Sequence, residues 1–309
     1  MTNQASTSIS APAALLLFVL AAVWGGSFFF AEIALREVPP LTITLHRVFW
    51  AVPVLMAVIW WQGIAWPRDP RIWGAYLVMG ALNNALPFSL IFWGQTRIES
   101  GLASILNGTT AVFGAVVAGM LLKDEPLTAR KVAGALAGLA GVAVIMGPEA
   151  ISGLDPRNLA QLAILGAALS YAVASVWAKL ALAGIPPQMN ALGMLIGSTV
   201  LMIPVAVLSD GVPQLDLSPP VWASLLAIAV ISTALAYLLY FQILVRAGAA
   251  NLMLVTLLIP PFAIALGALF LDEALGRDAW IGFGLIALGL GITDGRLWAR
   301  IRRRAQVAD

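Results

Sequence analysis

The sequence predicts an all-α membrane protein of ten transmembrane helices, built as two inverted five-helix repeats with both termini cytoplasmic. Three observations carry this expectation. Of 309 residues, 61% are hydrophobic and only 10% charged, far from the composition of soluble domains. The apolar residues gather into ten runs close to the roughly 20 residues that cross a hydrocarbon core of about 30 Å. The second half of the chain also repeats the pattern of the first, at an offset of 147 or 148 residues.

Unpaired backbone amides are not tolerated in lipid and alternating ten-residue strands are absent, so the runs are helices. The first, 12–35, follows Met1–Ser10, which carries no positive charge and reads as the lead into a retained span rather than a signal peptide. It places Trp24 and Phe28 on one face, one turn apart. The second, 41–62, holds His46, the only histidine, and Trp50 one turn later. Trp60, Trp61, Trp66 and Trp73 cluster about the break that follows, as a belt at the headgroup level would. Asn83, Asn84 and Pro87 interrupt the third run, 71–95, and Asn107 and Thr110 lie three residues apart in the fourth, 99–122. The fifth, 129–147, is rich in glycine at Gly134, Gly138 and Gly141, which suits close helix approach within the chain or in a dimer.

The sixth run, 158–182, opens the second half with Tyr171 and Ser175, and the seventh, 188–208, carries Gly193 and Gly197. Thr233, Tyr237 and Tyr240 follow an i, i+4, i+7 pattern in the eighth, 219–243. The ninth, 248–271, leads to the tenth, 278–298, with Gly282, Gly284, Gly289 and Gly291. The chain thus divides into residues 12–147, residues 158–298 and a basic cytoplasmic tail, 299–309.

Ten helices put both termini on one face, and that face collects twelve of the 17 Lys and Arg residues against five on the other, Arg47 being counted among the five. The positive-inside rule makes the terminal face cytoplasmic. Under a shift of 148, Leu122-Lys-Asp-Glu-Pro-Leu127 falls on Phe270-Leu-Asp-Glu-Ala-Leu275. Under a shift of 147, Pro39-Pro40 falls on Pro186-Pro187, Trp24 on Tyr171 and Glu32 on Lys179. Five is odd, so the second half enters the membrane with opposite polarity. Inverted halves can exchange conformations and open a central site to either side in turn.

Several function classes are excluded. No G-x-x-x-x-G-K-[ST] is present, and the breaks are too short for a nucleotide-binding module. Without cysteine there is no disulfide framework, haem attachment or thiolate metal site. No cofactor or metal is expected, and the basic residues do not form a nucleic-acid surface. One histidine and no mid-membrane carboxylate are poor material for a membrane enzyme.

What remains is a pocket. An unpartnered amide in lipid costs several kcal/mol, and interhelical hydrogen bonding explains either asparagine alone. Asn83 and Asn84 point about 100° apart, however, and Pro87 frees a carbonyl beside them, so the pair reads as cavity wall. Trp24, Phe28, Tyr171, Ser175, Tyr237 and Asn107 supply aromatic or polar groups at similar depth, as a site for a small, partly apolar solute would. Each of them also fits as plain bundle filling. His46 and Trp50 have Gly193 and Gly197 as repeat equivalents, so a bulky wall facing an open one is expected. His46 titrates near neutrality and suits a coupling proton, or else an interfacial role near the outer headgroups. Glu32 and Lys179 are functional candidates or snorkel to the interfaces. Asp124-Glu125 and Asp272-Glu273 are expected to organise turns and the helix starts that follow them.

The ten spans, the doubled Asp-Glu junction and Ala22-Val-Trp-Gly-Gly26 resemble the drug/metabolite transporter superfamily, specifically its EamA branch, over about Leu15 to Trp298. Within that branch the chain is similar to the YddG-type exporters of amino acids. The resemblance implies a secondary carrier in a bacterial cytoplasmic membrane that moves small metabolites outward through a cavity between the halves. Amino acids, aromatic ones included, are the implied cargo. A channel-like pore, or a transporter of another metabolite or drug class, is the competing expectation, and the oligomeric state is left open.

Overall fold

A computed structural model describes residues 11–123, 127–146, 156–247 and 255–294. Among these residues every regular element is helical. In chain order they are α1 (Ala11–Ala34), α2 (Pro40–Trp61), α3 (Pro70–Gly80), α4 (Leu86–Gln95), α5 (Ser100–Asn107), α6 (Thr110–Leu121), α7 (Ala129–Met146) and α8 (Pro156–Ala181), then α9 (Pro187–Asp210), α10 (Pro219–Leu226), α11 (Ala236–Ala247), α12 (Val255–Phe270) and α13 (Arg277–Asp294). A π-helical turn, Ala81–Ala85, joins α3 to α4, and a second, Ala227–Leu235, joins α10 to α11.

Eight of the described rods are long and apolar enough to cross a bilayer, with Pro70–Gln95, Ser100–Leu121 and Pro219–Ile243 each acting as one rod. In the ninth expected span a shorter apolar stretch, Leu258–Phe270, is described. α13 carries Arg277, Asp278 and Asp294 at its ends. Asp124-Glu125, the first residues of the ninth expected span and the basic tail lie outside the described residues.

Three of the expected helices are not uniform. The third and eighth switch to π winding at mid-length, and the fourth breaks at Gly108-Thr109. There the N–H of Thr109 bonds back to the carbonyl of Leu106 at 3.1 Å in a tighter turn.

Packing pairs the helices across the two halves. α2 lies along α9, α7 along α13, α1 along α12, and α5 and α6 along α8; α3 also packs on α9, and α2 on the second π-turn. The α7–α13 pair is made by glycine. A β-carbon on Gly141 would come within 2.6 Å of the Gly282 carbonyl oxygen, so close approach within the chain is what these glycines serve.

One end of the bundle is tied together by three carboxylates, each accepting hydrogen bonds from a helix start in the other half. Glu37 accepts from Ser218 N at 2.8 Å, ahead of α10. Asp210 accepts from Thr42 N and Oγ1, both at 2.9 Å, in the first turn of α2. Glu273 accepts from Ser100 N (2.9 Å), Ser100 Oγ (2.8 Å) and Gly101 N (3.2 Å), capping α5. Helix starts carry unpaired N–H groups and partial positive charge, so an acidic oxygen is favoured there. Glu273 was expected to serve the helix that follows it; it serves α5 instead. Beside it a recess of about 360 Å³ is lined by Glu32, Arg36, Gln95 and Glu99.

At the opposite end Trp60 and Trp61 are more than four-fifths exposed. Trp66 stacks on Trp73 at 5.8 Å, as an interfacial belt requires.

Candidate functional site

The first π-turn has a local cause. Pro87 has no N–H to offer, so a carbonyl one turn earlier loses its donor. Leu86 N bonds back to Ala81 O, five residues away, and the carbonyl of Leu82 takes the hydroxyl of Ser170 on α8 at 2.6 Å instead. Widened winding of this kind recurs at functional sites.

The asparagines sit in that turn and head a directional chain of hydrogen bonds. Asn83 Nδ2 donates to the Tyr237 hydroxyl at 3.1 Å, which donates to Asn84 Oδ1 at 3.3 Å. Asn84 Nδ2 donates to Ser198 Oγ at 3.3 Å, and Ser198 donates to the Leu195 carbonyl at 3.1 Å. Asn84 is wholly buried, and its amide behaves as the interhelical tie that a single buried asparagine suggests. Asn83 is only half-buried. Its Oδ1 makes no hydrogen bond among the described residues and is not among the sealed atoms that lack a partner, so it keeps accessible surface. One asparagine is therefore structural and the other is presented.

Arg47 is the residue that sequence reasoning missed. Counted as a surface charge, it is buried on α2 at 7% exposure, with its guanidinium carbon 3.7 Å above the Phe88 ring and 5.8 Å from that of Phe92. Its Nε donates to Thr233 Oγ1 at 3.0 Å, and Thr233 donates in turn to the Ile228 carbonyl at 2.9 Å, inside the second π-turn. Tyr171 lies against Phe88 with ring centres 6.4 Å apart. A cation seven residues inside an apolar run was the available signal, since intramembrane charges mark function by default.

Asn83, Asn84 and Tyr237 thus join in one hydrogen-bond chain, and Tyr171 and Arg47 both pack on Phe88, while the other candidates lie apart. Trp24 meets Tyr240 at 6.1 Å. Phe28 is buried, and its carbonyl accepts from Gln95 Nε2 at 2.9 Å. His46 accepts the Trp50 indole N–H at Nδ1, 3.0 Å away, and sits edge-on to Trp222 at 5.6 Å. The proton of the neutral ring then lies on Nε2, which is buried without a partner among the described residues. Asn107 ends α5 at the break in its span, and its Oδ1 is likewise unpartnered. Ser175 is exposed and bonds only to the Ala172 carbonyl of its own helix, at 2.7 Å.

The open wall expected at Gly193 and Gly197 is not there. Tyr76 of α3 fills it: a β-carbon on Gly193 would run into the Tyr76 ring, and one on Gly197 would lie 2.6 Å from the Tyr76 carbonyl oxygen. These glycines admit a neighbouring helix, not a solute.

Among the described residues no group of acidic and histidine side chains is arranged to hold a metal ion. The arrangement around Arg47 offers a cation, a presented amide oxygen, tyrosine hydroxyls and flat aromatic faces. Groups of this chemistry can bind and orient a small solute.

Comparison with known proteins agrees with this character. The EamA-like transporter family matches the chain twice, over residues 11–147 and 158–293, and the two matches begin 147 residues apart. The uncharacterized transporter YoaV of Bacillus subtilis is 24% identical over 87% of this chain and 91% of its own length. A probable amino-acid metabolite efflux pump of Escherichia coli is 26% identical over 90% and 93%, and the protein PecM of Dickeya dadantii is 25% identical over 90% of each. A solved crystal structure shares the fold, with a TM-score of 0.66 at 21% identity over 94% of this chain and 99% of that one. Matched over most of its length, the chain belongs to the EamA-like transporter family: it is an integral inner-membrane protein that transports and is not an enzyme.

Proposed function

We propose that the protein is a secondary carrier exporting small metabolites, amino acids and aromatic amino acids among them, by alternating access through a site between two inverted five-helix halves. The observation that carries this reading is the Asn83–Tyr237–Asn84 chain beside Arg47. It joins a broken helix of the first half to a broken helix of the second at mid-span. Irregular backbone at membrane depth belongs where it lines a cavity, and discontinuous helices build the sites of many carriers.

The doubled architecture is supported by the double family match and by the packing. Exchanging first-half with second-half spans turns the α3–α9 contact into that of the second π-turn with α2, and the α1–α12 contact into that of α8 with α5 and α6. Ten spans with cytoplasmic termini follow from that reading and from the basic face, which moving Arg47 inside leaves at twelve charges against four. The relative described as an amino-acid metabolite efflux pump supports the cargo class. Within the site Asn83, Tyr171 and Tyr237 contact cargo, and Asn84 holds the two asparagines in place.

The test is uptake of radiolabelled phenylalanine, threonine and methionine into proteoliposomes, with and without an imposed pH gradient. Saturable uptake is expected, lost in Asn83→Ala and Tyr237→Ala and kept in Trp66→Ala. Uptake linear in concentration would replace the carrier with a channel, and no uptake of any of the three would end the amino-acid assignment. Saturable uptake that ignores the gradient removes His46 as a coupling group.

A further inference from the structure

Arg47 is the buried charge that the fold leaves incompletely answered. A guanidinium has five N–H donors in a planar fork, and among the described residues only Nε is engaged, by Thr233. Neither η-nitrogen has a hydrogen-bond partner there, and neither is among the sealed polar atoms without one, so both keep some accessible surface although the residue as a whole is buried. No described carboxylate pairs with this charge. Of the acids near this depth or above it, Asp210 is occupied with Thr42 and Glu32 lies 3.4 Å from Gln95 Nε2.

The anchoring role of the side chain is complete without the η-nitrogens. Nε ties α2 to the eighth span, and the flat face rests on Phe88 of the third. What remains is the edge of the fork, which matches a carboxylate through two parallel N–H···O bonds. The Tyr171 ring packs on Phe88, as the guanidinium does, and Asn83 bonds to Tyr237, one turn after the Thr233 that holds Nε; neither Tyr171 nor Asn83 has a hydrogen bond to Arg47 among the described residues.

We propose that the η-nitrogens of Arg47 bind the carboxylate of the cargo, and that the site selects small monocarboxylates with an apolar or aromatic body. This rests on the transport reading above and gives it a substrate class. One fixed positive charge is matched by one negative charge; a phosphate ester, carrying nearly two, would need a second cation, and none of the described residues around Arg47 supplies it. The site is one-sided: the carboxylate meets a full charge, whereas an ammonium finds only the neutral amide oxygen of Asn83 and aromatic faces. An α-amino group is therefore accepted but not required, and amino acids are one subset of the carried molecules.

The test is equilibrium binding of three probes of one shape to the purified full chain in detergent: 3-phenylpropionate, phenylalanine and 2-phenylethylamine. The acid and the zwitterion are expected to bind within about fivefold of one another, and the amine at least about tenfold more weakly. Arg47→Gln abolishes the preference for the acid, and Arg47→Lys, which keeps the charge without the fork, weakens acid binding by about tenfold. Thr233→Val removes only the Nε anchor and leaves acid binding within about threefold. A purely structural arginine would weaken all three probes together when replaced, and not the acid selectively.

Amine binding as tight as acid binding, or unchanged acid binding by a folded Arg47→Gln or Arg47→Lys protein, overturns the proposal and leaves amino-acid transport standing. Binding of the acid without phenylalanine upholds the anion site and ends the amino-acid reading. Binding of none of the three overturns both.

Discussion

The third and eighth spans occupy matching places in the two halves and are broken in the same way by different means. A shift of 147 residues carries Ala81–Ala85 onto positions inside Ala227–Leu235. In the third span the break is covalent: Pro87 removes a donor, and Ser170 covers the freed Leu82 carbonyl. In the eighth there is no interior proline. A hydroxyl works on the backbone instead, Thr233 bonding to the Ile228 carbonyl of its own span at 2.9 Å, and such back-bonding bends helices; Ser232 beside it reaches across to the Val23 carbonyl of α1 at 2.9 Å. The geometry is shared while the chemistry is divided. The third span presents amides and the eighth presents Thr233 and Tyr237, and Arg47 and the asparagines join the two.

The environments of the two breaks differ just as sharply, which gives the largest effect. Gly80 precedes the first π-turn, and a β-carbon there would lie 2.5 Å from Ser198 N and 2.6 Å from the Met194 carbonyl oxygen. Both contacts are backbone of α9, so nothing can rotate away. The same shift places Ala227, which already carries a β-carbon, at the start of the second turn. Gly80→Val is expected to cost more than the ~1–3 kcal/mol of ordinary overpacking and to abolish the folded peak in fluorescence-detected size exclusion. Ala227→Val should lower Tm only slightly, since the penalty is mostly helix propensity, below about 1 kcal/mol. Equal losses would mean that the two turns are not distinguished by the neighbouring backbone.

A smaller effect separates the two causes of the break. Ser170→Ala strips the Leu82 carbonyl of its partner where Pro87 prevents the helix from re-forming the bond. The expected cost is about 1–2 kcal/mol. Ser232→Ala leaves the Val23 carbonyl within an uninterrupted helix, where an ordinary helical partner is available, and should cost less. Thermal unfolding of the two variants side by side measures the difference; a larger loss for Ser232→Ala would show that the proline is not what makes the third span depend on an outside donor.

The apolar runs, their order and the breaks between them were legible because hydropathy and proline act locally. The irregularity at Asn83–Asn84 was legible too, since two amides and Pro87 lie within five residues. Arg47 was not, because its burial depends on Phe88 and on Thr233, 186 residues away, and a count of charges by face sees only its distance from a span end. Gly193 and Gly197 misled for the same reason. Glycine opens space in the sequence, but the space belongs to Tyr76, which no local pattern assigns to α9. His46 and Trp50 do form a pair one turn apart, as expected, yet they turn toward Trp222 and not toward the asparagines. Side-chain pairing within one helix is readable, whereas the partner helix it faces is set by tertiary packing.

The entries of the two spans provide the smallest effect and a pH signature. The third span caps itself: Asp69 Oδ1 accepts from Arg71 N at 2.8 Å. The eighth borrows its acceptor from the other half, where Glu37, outside the spans and exposed, accepts from Ser218 N. That hydrogen bonding to Ser218 holds the Glu37 carboxyl below its ordinary value of 4.5. A carboxyl with a depressed folded value stabilises above the unfolded value and loses that contribution as pH falls through the folded one. Wild type should therefore unfold at a slightly higher temperature than Glu37→Gln at pH 7, and the gap should close as the pH falls from the ordinary value of 4.5 through the lowered one. The capped amide of the eighth span is one of three ties between the halves at this end. A gap that persists at low pH would assign the contribution of Glu37 to packing rather than to its charge.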